Sequence, residues 1–161
     1  MQLRGRFHSW SHGQLPSRRI AVGMAILTVT LGLGPASPPA ARADGAIAIA
    51  LPPDVVKQGF AYGYSTDYAD SDKADAEALK KCRETTIAGI RSLCTIIQDF
   101  KNQCVAVAMD PQAGTPGVGW AVAADLHAAE AQALSKCEQT AGPGRRAACE
   151  VDHSSCDGNG K

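Results

Sequence analysis

Beyond position 43, the residues that could carry chemistry are two histidines, six cysteines and a scatter of carboxylates. Nucleophilic catalysis needs a serine or cysteine with a base beside it. His127 falls at the start of an Ala- and Leu-rich segment that reads as a helix, where a positive charge is poorly placed. His153 precedes Ser154 and Ser155 in a strand-like stretch. Both histidines read as structural or surface residues. Carboxylate chemistry needs a defined pair, and nothing in the sequence singles out a pair such as Asp99 and Glu150. Asp67, Asp70, Asp72 and Asp75 are dense enough to suggest calcium. A calcium loop usually carries a glycine at its turn, whereas Asp70-Ser71-Asp72 runs straight into Lys73. The cluster reads instead as the start of a helix, where acidic side chains favour the dipole. The run Gly114 to Gly119 lacks the lysine of a phosphate loop. No catalytic, cofactor-binding or metal-ligating set is therefore assigned, and no cofactor is expected.

The cysteines are Cys82, Cys94, Cys104, Cys137, Cys149 and Cys156, with no C-x-x-C pair among them. Their even number, behind the leader described below, reads as a disulfide framework. A duplication orders them. Ala74 to Cys82 (ADAEALKKC) matches Ala129 to Cys137 (AEAQALSKC) at an offset of 55 residues, and Cys94 and Cys149 keep that offset. Upstream, Gly59-Phe60-Ala61 is set against Gly119-Trp120-Ala121, and Ala46–Ala50 against Val105–Ala108. If the halves fold alike, Cys82 pairs with Cys94 and Cys137 with Cys149. Cys104 with Cys156 is then left to tie the halves together.

These residues have to be positioned by regular elements. Ile47 and Ile49 alternate with alanines, as do Val105, Val107 and Met109, which is the period of a strand. Segments 60–65 and 120–124 read as second strands, and 95–100 and 150–154 as third strands. The stretches 72–83 and 127–138 are rich in helix formers, with Asp70, Ser71 or Asp72 able to cap the first and Asp125 the second. The expected class is α+β: two β-β-α-β repeats, about 45–103 and 104–157, sharing an antiparallel sheet and stapled by disulfides.

Residues 1–43 differ in kind. Arg4, Arg6, Arg18 and Arg19 precede an uncharged apolar run, Ile20 to Leu33, and a small-residue stretch ending Ala41-Arg42-Ala43. That is the pattern of a cleavable signal peptide. The run is shorter than the roughly 20 residues a membrane span needs, so no stable anchor is expected after cleavage. Five of the 16 basic residues lie in this leader and none of the 16 acidic ones, so residues 44–161 carry 16 acidic against 11 basic, a net charge near −5. Such a domain lacks the basic footprint of a nucleic-acid binder. The chain is expected to act as a single exported domain, periplasmic or extracellular.

Gly45-Ala46-Ile47-Ala48, the Ala-Leu-Lys-Lys-Cys82 helix end, Phe100-Lys-Asn-Gln-Cys104-Val-Ala-Val-Ala108 and Gly119-Trp120 before a second Ala-rich helix resemble a family of bacterial exported proteins, domain of unknown function 4189. The resemblance covers nearly all of the chain after residue 43. It implies a non-enzymatic role without catalytic residues. Cys137 and Cys149 depart from the four-cysteine pattern associated with the mycobacterial members.

Tyr62, Tyr64 and Trp120 remain as a candidate binding face. Strand residues of this kind either feed a core or present a recognition surface, and the sequence leaves both open. The functional expectation is a secreted or periplasmic, non-catalytic binding protein with an unidentified protein partner in the envelope or outside the cell. The alternative is an envelope hydrolase or enzyme inhibitor working through surface carboxylates.

Overall fold

A computed structural model describes residues 44–85 and 87–160. The signal peptide expected over 1–43 lies outside the described residues. The elements are β1 (Asp44–Ala50), α1 (Val55–Gln58), β2 (Ala61–Tyr68), α2 (Ser71–Arg83), β3 (Thr95–Phe100), β4 (Cys104–Met109), β5 (Val118–Ala123), α3 (Leu126–Ala141) and β6 (Glu150–Cys156). Short 3-10 turns, Ala88–Leu93 and Arg146–Ala148, precede β3 and β6. The class is α+β, built from two β-β-α-β repeats with antiparallel pairing. Helix α1 follows Pro52-Pro53. It is a single turn held by Asp54, whose carboxylate accepts the Lys57 N–H at 3.1 Å.

The sheet arrangement differs from the expectation. The repeats do not share a sheet: each has its own, ordered β2-β1-β3 and β5-β4-β6. The alternation in the central strands gives the reason. Ala46, Ala48 and Ala50 of β1 pack with Ala74, Ala78 and Cys82 of α2. Cys104, Ala106 and Ala108 of β4 pack with Ala129, Ala133 and Cys137 of α3. The larger residues on the opposite faces, Ile47 and Ile49 with Val105 and Val107, meet in a third cluster between the sheets. The result is a helix-sheet-sheet-helix stack, in which both faces of β1 and β4 are buried.

Helix starts follow local chemistry. Asp70 and Asp125 cap α2 and α3, their carboxylates accepting the N–H groups of Lys73 (2.9 Å) and Ala128 (2.8 Å). The alanine faces let the helices lie very close to the sheets. A Cβ on Gly63 would stand 2.3 Å from the Ala78 carbonyl oxygen and the Cys82 nitrogen. A Cβ on Gly119 would stand 2.3 Å from the Ala133 oxygen and 2.4 Å from the Cys137 nitrogen.

These contacts fix the register of the duplication. Gly63-Tyr64 is equivalent to Gly119-Trp120, which corrects the match drawn from Gly59-Phe60. Tyr64 faces Ile47 as Trp120 faces Val107, so β1 aligns with β4 at an offset of 60, not as Ala46–Ala50 on Val105–Ala108. The third strands keep the offset of 55. Gln98 faces Ile47 as His153 faces Val107, and each strand carries a bulge at the same place, Ile97 in β3 and Asp152 in β6.

Disulfides join Cys82 to Cys94, Cys137 to Cys149, and Cys104 to Cys156. The first two tie a helix to the start of the next strand. Cys104 and Cys156 face each other across β4 and β6, so this bridge lies within the second repeat and does not link the halves. A tie between repeats comes instead from buried Asp157. Its carboxylate accepts the backbone N–H groups of Asp67 (2.7 Å) and Asn102 (3.0 Å) in the first repeat.

Candidate functional site

Alternate residues of β2 point away from α2 toward the other sheet. Phe60, just before the strand, stacks on Trp120 of β5, with ring centroids 6.2 Å apart, and on Tyr62 at 6.0 Å. Farther along, Tyr62 and Tyr64 meet β6. There the bulge at Asp152 breaks the regular alternation, and bulges of this kind re-aim side chains. The Tyr62 hydroxyl donates to Asp152 Oδ2. The Tyr64 ring lies 5.1 Å from the His153 ring. Lys81 Nζ stands 5.3 Å from the Tyr64 centroid, within cation–π range.

Together Tyr62, Gly63, Tyr64, Lys81 and His153 line an open groove of about 350 Å³. Lys81 comes from the last turn of α2 and is anchored by donating to the Tyr64 carbonyl at 2.9 Å. The close seat of α2 on Gly63 therefore sets its position. Burial, reinforced by the hydrogen bond to the Asp152 carboxylate, pushes the Tyr62 hydroxyl well above the ordinary phenol range, so it stays a donor. Burial also raises Tyr64.

The second repeat supplies an internal control. Lys136 reaches the Trp120 carbonyl at 2.8 Å as Lys81 reaches that of Tyr64. Around that shared latch the residues differ. Val118 stands where Tyr62 does, Ile97 where Asp152 does, and Gln98 where His153 does. The fold makes the same sheet edge without a phenol, a carboxylate or an imidazole. The phenol and imidazole in the groove, and the carboxylate beside it, are additions to what the architecture requires.

Of the sequence-level candidates, Tyr62 and Tyr64 stand in the groove, while Trp120 packs on Phe60 outside it. His127 is an exposed residue of the first turn of α3. Lys81, Asp152 and His153 escaped sequence reasoning as site residues. A signal existed: the duplicated helices both carry a Lys-Cys pair, but the duplicated third strands differ at these positions. Finding it required the correct register.

Two acidic arrangements lie elsewhere. Asp75 of α2 lies beside Asp99 of β3, and its Oδ1 is buried without a hydrogen-bond partner among the described residues. Burial first, then this neighbouring carboxylate, raises the Asp75 carboxyl above its usual range. At the twin position the Ser154 hydroxyl donates to Glu130 at 2.7 Å, so polar side chains of helix and third strand meet at the same place in both repeats. The cluster considered for calcium is dispersed: Asp70 caps α2, and Asp67 accepts the Gly158 N–H at 2.8 Å. Among the described residues no group of histidine, cysteine and carboxylate side chains is placed to hold a metal ion. Among them, too, no helix is long and apolar enough to cross a membrane.

Comparison with known families matches residues 45–156 to a domain of unknown function, DUF4189. The matched span runs from the second residue of β1 to the last of β6. No curated protein and no solved structure matches the chain.

Proposed function

The chain belongs to the DUF4189 family, and from that premise we propose that it is an exported, non-catalytic binding domain whose recognition surface is the Tyr62–Tyr64–Lys81–His153 groove. The observation that carries this reading is the asymmetry of the duplication. Equivalent backbone holds Val118, Ile97 and Gln98 at one edge and Tyr62, Asp152 and His153 at the other. Aromatic rings with polar tips are the side chains recognition surfaces favour.

The same geometry argues against acid–base catalysis at this place. Asp152 is turned to Tyr62, and His153 makes no hydrogen bond within the described residues. A working histidine base is normally oriented by a third group. Ser154, beside it in sequence, is committed to Glu130.

Export rests on the leader pattern of residues 1–43 and on three disulfides in one small domain, a usage of oxidising compartments. The partner in this reading is a protein of the envelope or the exterior. Two experiments test the proposal. N-terminal sequencing of protein recovered from outside the cytoplasm should begin at Asp44; full-length protein retained in the membrane would remove the export claim. A photo-crosslinking amino acid at Lys81 should give a defined adduct in cells, while one at the twin position Lys136 should not. Equal adducts at both would remove the groove.

A further inference from the structure

We propose that the ligand of this groove presents a compact oxyanion, a carboxylate or a phosphate, to Lys81, His153 and Tyr64; the inference rests on the groove being the binding surface.

The argument is one of unused donors and local charge. The domain from residue 44 onward is net acidic, near −5. The residues lining the groove nonetheless include a lysine and a histidine and no carboxylate. Lys81 has three N–H donors and uses one, on the Tyr64 carbonyl. Neither the Tyr64 hydroxyl nor the His153 ring nitrogens hydrogen-bond within the described residues, and the other two groups stand 5.3 and 5.1 Å from the Tyr64 ring. Three donors, one of them cationic, therefore line one open groove.

Nearby acids do not compete for them. Asp152 is engaged by Tyr62, and Glu77 and Glu84 pair with Lys80, not Lys81. An oxyanion completes the set, because charge-assisted hydrogen bonds are the strongest such a surface offers. The twin edge keeps only its lysine. Trp120 and Gln98 replace the phenol and the imidazole, so the structural latch does not explain the other two donors.

The test is an NMR titration of the purified, oxidised protein at constant ionic strength. Separate arms use acetate, inorganic phosphate and methyl glucoside, and the amides of Gly63, Lys81 and His153 are followed. At least one anion should move these resonances with an affinity in the millimolar range. Acetate alone identifies a carboxylate ligand, phosphate alone a phosphoryl one. The variant Tyr64→Trp with His153→Gln, which installs two residues of the twin edge, should weaken binding at least about tenfold with unchanged thermal stability. The inference is overturned if neither anion moves the groove resonances, or if the variant binds as well as the parent. Shifts with methyl glucoside alone would also overturn it, while leaving the groove itself as the binding surface.

Discussion

Lys101 Nζ lies 2.9 Å from Asp44 Oδ1, at the first residue of β1 and the residue just past β3, the positions that correspond to Cys104 and Cys156 in the second repeat. The register makes them equivalent: Gly45 pairs with Phe100 as Val105 pairs with Ser155, and the next pair outward is Asp44–Lys101 in one case and Cys104–Cys156 in the other. One repeat closes this end of its sheet with an ion pair, the other with a covalent bond. An exposed ion pair contributes at most about 1 kcal/mol, whereas a bridge over 52 residues contributes about 4 kcal/mol in the chain-entropy model.

That equivalence predicts a fourth disulfide. The variant Asp44→Cys with Lys101→Cys, refolded under oxidising conditions, should form the new bridge without disturbing the three present. It should gain up to about 4 kcal/mol against its reduced form. Peptide mapping under non-reducing conditions reads the pairing. Free thiols at 44 and 101, or exchange with Cys104 or Cys156, would show that the two sheet ends are not equivalent.

Gly63 and Gly119 hold the helices against the sheets by having no side chain. Gly63→Ala and Gly119→Ala should each destabilise the domain by roughly 1–3 kcal/mol or more, because the added carbon meets helix backbone and no flexible side chain can yield. Gly144→Ala, where an added Cβ meets nothing within 4 Å, is the control and should change little. Urea unfolding of the three variants measures this. Equal stability would mean that the helices do not sit this close.

Asp110 supplies an acid-sensitive joint. Its buried carboxylate accepts from Arg145 Nε at 2.7 Å and from the Gln112 N–H at 3.0 Å. The Arg145 guanidinium is the main reason its pKa falls from 3.8 to about 2. A depressed carboxyl pKa contributes stability that is complete above 3.8 and is lost as the pH falls through about 2. Arg145→Gln should therefore lower the midpoint of thermal unfolding by several degrees at pH 7, and the gap to the parent should close on acidification across that window. A gap independent of pH would show that the pair is not the source.

Asp75, buried beside Asp99, has the opposite sign. The raised Asp75 pKa means that its contribution is complete below 3.8 and is lost as the pH rises through the higher folded value. Asp75→Asn, a neutral isostere, should unfold a few degrees higher than the parent at pH 7 and show little gain at pH 3. Thermal melts at the two pH values decide it. Destabilisation at pH 7 would mean that the ionised carboxylate is the stabilising form.

Much of the fold was legible because short-range chemistry carried it. Asp70 and Asp125 cap the helices as their types require, and the alanine–isoleucine alternation of Ala46–Ala50 shows a strand with two different buried faces. The separation into two sheets was not legible. Alternation shows that Ile47 and Val107 need cover, but not that they cover each other. The groove was hidden for a related reason. Lys81 and His153 are distant in sequence, and they meet at Tyr64 only because α2 rests on Gly63 and β6 bulges at Asp152. With the repeat aligned through Gly59-Phe60, the divergence between Tyr62 and Val118 could not be seen as a substitution within shared architecture.

The account stands or falls on whether the groove binds something its twin edge does not. The direct measurement compares the wild-type domain with the triple variant Tyr62→Val, Asp152→Ile, His153→Gln, which places three residues of the second edge on the same backbone. Both are passed, oxidised and at equal concentration, over immobilised native envelope material, after melts confirm that both are folded. The wild-type protein should be retained and the triple variant should elute with a non-binding control. Equal retention of the two, or no retention of either, would contradict the assignment of Tyr62, Tyr64, Lys81 and His153 as the recognition surface.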